Sequence, residues 1–529
     1  MVMVMCLVVH GKTPQSYKKF NSPEITCLTP LSLFGVNPRF SNLLFRPAAA
    51  FLLAAIISLA LHWHVFPKDI VGQHAWRQSQ TQTTIRYFAL HDFNILHPHT
   101  NLAEFHGTQR LEFPLMQWII AGACRLFGYS VTLTRILLFL GGLLTIAGMM
   151  RLAAIVFSDN RAPAIAGWAF AFSPLFYYYM INPLPDTWAM CAGTWGLALW
   201  FHWLRDKKIS LLLLSGILLA TGALIKLPFI LYFIVVPAYW WKERRQLFRS
   251  VGVTAACWSW MALPLLWYIL VIPEWTNNPV TQGVMDTRFY SGNMLFTYLW
   301  GNLSSTLPEL LLNYAATPLF LAGWFFFFRD KKFRNEKFLY LLLAGLAVLA
   351  YFLFELNLIA TVHDYYLFPF LPLLFLLVTF GALRLLSIKK GKVVVIVLLL
   401  ILPLTAFLRI DSRWDRPGFN RDIMDHAAEI RAALPEEAKL ITANDVSGHI
   451  WLYYLDREGW NFSDDKMDLS LVKQHIAEGA TYFVSDSRVL EQQLSDAELL
   501  GEKAADIGTI RVFRLHTAAN SDSSNNTIR

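Results

Sequence analysis

The stretch VTLTRILLFLGGLLTIAGMMRLAAIVF, residues 131–157, decides the class of fold. Its charged residues are Arg135 and Arg151, and it exceeds the roughly 20 residues that cross a hydrocarbon core as an α-helix. Comparable apolar runs recur along the chain of 529 residues, which is 55% hydrophobic and 16% charged. Soluble globular proteins do not have this composition. The sequence therefore predicts an integral membrane protein made of helices, because the strands of a barrel would be short and alternating.

The apolar runs predict about eleven membrane-spanning helices. Lys and Arg concentrate in alternate loops, and this bias sets the orientation of a polytopic protein. It predicts a cytoplasmic N-terminus, with an extension over residues 1–43, and it places loops 67–113 and 273–306 outside. The formal charge of +8 follows from this bias, so nucleic acid is not an expected partner. The predicted spans are 44–66, 131–157, 162–182, 186–204, 209–225, 227–241, 252–272, 307–328, 338–354, 365–387 and 393–409.

The sequence after residue 410 becomes rich in charged residues and loses the long apolar runs. It predicts a small α/β domain outside the membrane over residues 411–519, followed by a disordered tail at 520–529. The segment WLYYLDREGW is apolar enough to be domain core or a contact with the membrane part, with carbohydrate binding as the alternative. Predicted strands are KLITAN, TYFVSD and IRVFRL, and predicted helices lie near 420–434, 469–478 and 496–501.

Polar residues flank several of the apolar runs. An unpaired charge at membrane depth is costly, so such residues normally pair, line water or serve a site. The predicted topology brings them to the outer surface, which indicates an outward-opening cavity. These residues are Arg77, Gln78, Arg86, Glu112, Asp186, Lys226, His363, Asp364, Tyr365 and Tyr366.

Several of these residues also have a purely structural interpretation. Lys226 could extend its ammonium group to the membrane interface, and Tyr365 could belong to an aromatic belt. Asp186 could stabilise the N-terminus of its own helix after a proline. Arg77 and Glu112 could form a tether that braces the loop. The histidine spacings match no standard zinc pattern, so no metal is expected, and no other cofactor is expected either. All five cysteines fall in predicted cytoplasmic or membrane positions, so no disulfide is expected.

Several motifs, taken in order, resemble a known family. The first outer loop contains WRQSQTQTTIRYF and is followed by EFPLMQWIIAGACRLFG at residues 112–128; later come TLTRILLFLGGLL, PLPD, GALIKLPF and HDYYLFPFLP. In their order and topological placement, these motifs resemble the GT-C membrane glycosyltransferases of the PMT-like type, which include protein O-mannosyltransferases and lipid A aminoarabinose transferases. The resemblance covers roughly residues 44–410.

The resemblance implies transfer of a sugar from a polyprenyl-phosphate donor to a lipid, glycan or protein acceptor on the outer face of the plasma (inner) membrane, with inversion. Many family members carry a carboxylate early in the first outer loop, where this chain has Trp76, Arg77 and Gln78. The candidates for the base are therefore Glu112, which is favoured, Asp69 and Asp186. The implied phosphate-binding residues are Arg77, Lys226 and His363. The implied positioning residues are His74, Gln78, Arg86, Asp364 and Tyr365.

The alternative function is that of a lipid-glycan flippase or a secondary transporter. Transporters often contain internal repeats with paired broken helices. The sequence shows no such repeat, and a large first loop with an outer α/β domain argues against simple alternating access. The identity of the sugar and the class of acceptor stay open.

Overall fold

The computed structural model describes residues 44–516, except 244, 246, 276–278, 286–291, 330, 362, 415–417, 444, 446 and 463–466. The predicted N-terminal extension and the predicted tail therefore lie outside the described residues. The part up to residue 410 is helical, and a small domain with a β-sheet follows it.

Each predicted span contains helix, and the range 162–182 is divided into two helices, the second of which begins at Pro174. Proline has no N–H to continue a helix that precedes it, but it fits the first turn of a new one. Short 3-10 segments separate several helices, among them Leu227–Ile234 and Asp364–Phe370. The α-helices are α1 Pro47–His62, α2 Ala75–Leu90, α3 Leu115–Phe127, α4 Val131–Val156, α5 Ala162–Ala171, α6 Pro174–Tyr179, α7 Asp186–Asp206, α8 Ile209–Ile225, α9 Val235–Lys242, α10 Leu247–Val271, α11 Pro279–Gln282, α12 Gly292–Gly301, α13 Thr317–Arg329, α14 Lys331–Phe354, α15 Leu356–Thr361, α16 Leu371–Leu386 and α17 Gly391–Ile410.

Four helical stretches in the described part of the chain are long and apolar enough to cross a membrane. Shorter apolar helices accompany them, including α1, α8 and α9. The prediction of a polytopic helical membrane protein is thus confirmed, whereas the number of crossings stays a prediction. The four stretches are Val131–Val156, Val251–Glu274, Asp364–Leu386 and Gly391–Arg413.

Helices α13 and α16 approach each other closely at two glycines. A Cβ atom at Gly381 would overlap the carbonyl oxygen of Leu319, and one at Gly323 would overlap the carbonyl oxygen of Leu377. Small residues allow helix backbones to come together in a membrane, where van der Waals packing and interhelical hydrogen bonds hold helices in place. This pair of glycines therefore sets the distance between the two helices.

Arg135 of α4 anchors the beginning of the first outer loop. Its side chain is fully buried, and it donates hydrogen bonds to the backbone oxygens of Lys68 and Asp69 at 3.2 and 2.9 Å. It also donates to the backbone oxygen of Ile181 at 3.3 Å and to Oδ1 of Asn182 at 2.8 Å. A guanidinium group has five N–H donors, so one side chain can satisfy carbonyl groups from two distant segments. The loop after α1 is thereby fixed against the segment before α7.

The C-terminal domain contains one five-stranded sheet in the order β2-β1-β3-β5-β4. Strand β1 pairs in parallel with β2 and β3, and β5 pairs antiparallel with β3 and β4. The strands are β1 Lys439–Ala443, β2 Gly459–Phe462, β3 Ala480–Ser485, β4 Leu500–Ile507 and β5 Ile510–Leu515. The helices of this domain are α18 Asp422–Asp425, α19 Ala427–Ala432, α20 Ile450–Leu455, α21 Leu469–Ala477 and α22 Arg488–Asp496.

The structure confirms the three predicted strands and the predicted helices near 420–434 and 469–478. The prediction of a helix at 496–501 is wrong, because β4 begins at Leu500 and pairs with β5. Gly508, with φ +60°, lies in the turn that joins these two strands. A tight hairpin needs positive φ in its turn, which glycine adopts at low cost. The sequence of β4, LGEKAADI, alternates too weakly between apolar and polar residues to indicate a strand.

The C-terminal domain contacts the first outer loop directly. Asn101 donates from Nδ2 to the backbone oxygen of Leu452 at 2.9 Å, and its own backbone oxygen accepts from the N–H of Gly459 at 3.0 Å. Arg86 of α2 forms an ion pair of 2.6 Å with Asp456. The predicted role of WLYYLDREGW as core and contact surface is consistent with this arrangement, since every residue of α20 is buried.

We expect Gly381→Ala to lower the unfolding free energy by at least about 1–3 kcal/mol, because the new methyl group forces α13 and α16 apart. Thermal unfolding of the protein in lipid nanodiscs measures the effect. The matched control is Gly345→Ala in α14, where an added Cβ meets no heavy atom within 4 Å. Equal unfolding temperatures for the two variants would show that the close approach of α13 and α16 is not required.

Candidate active site

Helix α2 is polar and nevertheless mostly buried, since it lies between α3, the C-terminal domain and a cavity. Its residue at the N-terminal cap, His74, has φ 58°. Ser79 and Thr81 use their hydroxyl groups to bond backbone oxygens one turn earlier, at 2.8 and 3.0 Å. The hydroxyl groups of these two residues therefore have their hydrogen-bond partners within the helix. Arg77 and Gln80 instead face the cavity.

Glu112 accepts hydrogen bonds from two cations. Its Oε2 lies 2.5 Å from Nη2 of Arg77, and its Oε1 lies 2.5 Å from Nζ of Lys226. The three side chains are 8–12% exposed. Burial opposes the ionised form of Glu112, but the charges of Arg77 and Lys226 outweigh burial and hold the pKa of this carboxyl well below its usual range. We call these three residues the charged triad.

Backbone structure places Lys226 and Glu112 of the charged triad. Helix α8 ends before Lys226, which has extended backbone angles and lies two residues before Pro228. Pro228 has no backbone N–H to continue the hydrogen bonds of α8, but it fits the first turn of the 3-10 segment Leu227–Ile234 that follows. The N–H of Phe113 bonds the backbone oxygen of Leu224 at 3.3 Å and so holds the residue after Glu112 against the end of α8.

A second cluster is centred on Asp364. Its Oδ1 lies 3.1 Å from Nε2 of His74 and accepts from the hydroxyl of Tyr179 at 2.5 Å, while its Oδ2 accepts from Nη1 of Arg413 at 2.9 Å. Asp364 therefore joins the start of α2, the end of α6 and the segment after α17. Hydrogen bonds to a carboxylate are among the strong ones in proteins.

His363 lies between the two clusters. Its Nδ1 is 2.8 Å from the hydroxyl of Tyr365, and its ring centroid is 5.7 Å from that of Trp76. Burial lowers the pKa of His363 to about 3, and nearby basic groups including His74 act in the same direction. His363 is therefore neutral at physiological pH and acts as a hydrogen-bonding group, not as a cation.

These residues surround a cavity of about 700 Å³. Its wall combines the charged triad with aromatic and aliphatic side chains, and the C-terminal domain contributes His449, whose ring centroid is 6.3 Å from that of Trp76. The lining residues are Trp76, Arg77, Gln80, Gln109, Leu111, Glu112, Lys226, Leu227, Pro228, Ile230, Leu231, Tyr268, Ile272, Trp275, Thr281, Tyr351, Phe354, Glu355, His363, Tyr365, Tyr366 and His449.

Of the polar residues predicted from the sequence, six line the cavity: Arg77, Glu112, Lys226, His363, Tyr365 and Tyr366. His74 and Asp364 lie behind them in the second cluster. Asp186 is buried at the start of α7, near enough to the charged triad to interact with it electrostatically, and its Oδ2 has no hydrogen-bond partner among the described residues.

Three predicted site residues lie elsewhere. Asp69 accepts from the hydroxyl of Tyr453 at 2.9 Å, at the contact with the C-terminal domain. Arg86 is in the same contact, and Gln78 donates to the backbone oxygen of Gln73 at 2.9 Å. None of the three lines the cavity in the described part of the chain.

Sequence reasoning missed several members of the site. Glu355 had a usable signal, because it is a carboxylate directly after an apolar run. Gln80, Gln109 and Arg413 are ordinary polar residues of loops and helices, and His449 lies in another domain. Within the described residues, no three side chains of His, Cys, Asp or Glu come together in a way that could hold a metal ion.

Residues 111–274, which include the charged-triad residues Glu112 and Lys226, match the sequence model of the family described as dolichyl-phosphate-mannose-protein mannosyltransferase. No curated protein sequence matches the chain. The fold is similar to that of ArnT from Cupriavidus metallidurans in the apo state, with 15% identity and a TM-score of 0.58 over 88% of this chain and 97% of that one. The same enzyme bound to undecaprenyl phosphate matches with 15% identity and a TM-score of 0.58 over 90% of this chain and 98% of that one.

An oligosaccharyltransferase from Archaeoglobus fulgidus, tethered with an acceptor peptide, has 13% identity and a TM-score of 0.53 over 83% of this chain and 69% of its own. At these identities the structural matches establish the fold. Together with the family match over residues 111–274, they confirm the predicted resemblance of this chain to the PMT-like GT-C membrane glycosyltransferases.

Proposed function

We propose that this protein transfers a sugar from a polyprenyl-phosphate donor to an acceptor hydroxyl at the outer face of the plasma (inner) membrane. The observation that carries the proposal is the cavity in which Glu112 holds Arg77 and Lys226 beside an apolar wall. The acceptor is a lipid, a glycan or a protein. The displacement is a single step and inverts the anomeric carbon.

The charged triad suits the phosphate of such a donor. Two cations against one carboxylate leave one net positive charge, which matches the single negative charge of a phosphodiester. When the sugar leaves, the polyprenyl phosphate gains a second negative charge beside Arg77 and Lys226. Charge-assisted hydrogen bonds from groups already held in place stabilise such developing charge without reorganisation. His363, which is neutral, adds one N–H donor or acceptor beside them.

The rest of the wall suits the lipid. Leu227, Ile230 and Leu231 follow Lys226 along the chain and line the cavity next to it, and Ile272 and Trp275 at the end of α10 line it as well. An isoprenoid chain gains favourable energy when it leaves water for such a surface. The similarity of fold to an enzyme bound to undecaprenyl phosphate supports the same class of donor.

We assign Glu112 the role of holding the two cations. The sequence favoured it as the base, but both of its oxygens accept hydrogen bonds from cations and its pKa is low. A carboxylate in this state is a weak proton acceptor. Glu112 instead keeps Arg77 and Lys226 in position before the donor arrives.

The position of the C-terminal domain supports the proposed orientation. His449 of this domain lines the same cavity as Lys226, so the domain and the cavity lie at the same end of the helices. The basic residues Lys207 and Lys208 follow α7, whose other end begins at Asp186 beside the cavity. This arrangement supports membrane helices over residues 44–410, a cytoplasmic N-terminus and an extracytoplasmic domain at 411–519.

We expect Arg77→Ala and Lys226→Ala each to reduce transfer about 100- to 1,000-fold, since each removes a donor to the leaving phosphate. The assay follows radiolabelled polyprenyl-phosphate sugars in liposomes that contain the purified protein. The matched control is Arg110→Ala in the same loop, which removes an exposed 2.5 Å ion pair with Glu274 and leaves the cavity intact. Unfolding temperatures establish that the variants are folded.

A flippase or transporter would give the contrasting result. The label would then move between leaflets without joining any acceptor, and the proposed transfer would be rejected. Transfer that is unchanged in both cavity variants would remove Arg77 and Lys226 from the proposed phosphate site.

We expect Glu112→Gln to lower the unfolding free energy by about 3–5 kcal/mol, because two buried cations then face each other uncompensated. Undecaprenyl phosphate should raise the unfolding temperature of this variant more than that of wild type, since the anion replaces the missing charge. Measurements in nanodiscs with and without the lipid test both points. The control is Glu274→Gln, which breaks the exposed pair with Arg110 and should change stability by less than about 1 kcal/mol.

A further inference from the structure

The end of α14 presents one face to the cavity. Tyr351 and Phe354 line it together with Glu355, the residue directly after α14. The N–H of Glu355 bonds the backbone oxygen of Tyr351 at 2.9 Å and so continues the last turn, which places the three residues on the same side of the helix. Glu355 is 4% exposed. Among the described residues, neither the hydroxyl of Tyr351 nor Oε2 of Glu355 has a hydrogen-bond partner.

Unpaired buried polar atoms need an explanation. A buried carboxylate oxygen without a partner costs several kcal/mol in the ionised form. Here two such atoms lie on one helix face that forms part of a cavity wall. A polar group that enters the cavity and reaches these side chains would supply the missing hydrogen bonds.

Glu355 and Glu112 are carboxylates of the same cavity in opposite states. Both oxygens of Glu112 are engaged by cations, whereas Oε2 of Glu355 is not engaged by any described residue. Burial raises the pKa of Glu355 to about 8, and the charge of Lys226 lowers it only in part. The described titratable groups that interact with Glu355 are Tyr351 on its own helix, Lys226 and Tyr366.

A general base is most effective when its pKa lies near the working pH. Glu355 meets this condition and Glu112 does not. Glu355 also interacts with Lys226, the cation that Glu112 holds, so it lies on the wall beside the proposed phosphate site.

We propose that Glu355 is the catalytic base of the transfer, an inference that rests on the proposed function. The carboxylate of Glu355 takes the proton of the acceptor hydroxyl while the hydroxyl oxygen forms a bond to the anomeric carbon. The bond from that carbon to the phosphate oxygen breaks, and its electron pair stays on the phosphate beside Arg77 and Lys226. The proton passes from Glu355 to water after the product leaves.

The experiment uses the full protein in liposomes, with a radiolabelled polyprenyl-phosphate sugar that wild type transfers. We expect Glu355→Gln to reduce kcat about 100- to 1,000-fold, with the KM for the donor changed less than about threefold. The wild-type rate should rise with pH and level off above about 8, as Glu355 loses its proton, and this rise should be absent in the variant. Glu309→Gln serves as the control, because Glu309 pairs with Arg409 and does not line the cavity in the described residues.

Chemical rescue separates a base from a structural residue. Formate should restore part of the activity of Glu355→Ala, because a small carboxylate can enter the space left by the side chain. Glu355→Gln has no such space and should not respond. Glu355→Asp, which keeps the carboxylate, should retain more activity than Glu355→Gln and provides a folded comparison if the amide destabilises the protein.

The possible outcomes are distinct. If wild type transfers sugar and Glu355→Gln keeps its kcat and pH profile, Glu355 is not the base. A raised KM for the donor with unchanged kcat, or the absence of rescue by formate, also overturns the inference and makes Glu355 a binding or packing residue. If wild type transfers no sugar from any donor, the proposed function itself fails before any variant is compared.

Discussion

The two ion pairs of Glu112 hold the cavity together, because they join three segments that are far apart in the sequence. Arg77 comes from the first turn of α2, Glu112 from the loop before α3, and Lys226 from the end of α8. Removing one partner from a buried pair leaves an uncompensated charge, which costs about 3–5 kcal/mol. The three charged side chains are therefore stable only together, and the two cations have a defined position before any ligand binds.

Further buried polar contacts support this centre. Asp364 joins His74, at the start of α2, to Arg413, after α17. Arg135 fixes the beginning of the same loop to the segment before α7. Such contacts are expensive to bury unless each group has a partner, and fully paired networks favour one arrangement over alternatives. The outer loop thus behaves as a fixed part of the membrane domain, and His449 extends the wall into the C-terminal domain.

The cavity combines two kinds of surface that serve different steps. The charged triad is internally paired and carries one net positive charge, which suits an anion that is bound and then released. The face formed by Tyr351 and Glu355 is unpaired and suits a group that exchanges a proton. Pairing with two cations and burial without a cation partner give Glu112 and Glu355 different chemical states in the same cavity.

The sequence by itself determined the helical membrane class and the residues of the charged triad, because hydropathy and a charge beside an apolar run are local properties. It could not determine that Arg86 contacts the C-terminal domain, that His449 reaches the cavity, or that residues from Leu500 onward form a strand. These features depend on contacts between segments distant in the chain. For the same reason only the tertiary structure distinguished two glutamates of similar local sequence context: one is held between two cations, and the other has an oxygen without a described partner.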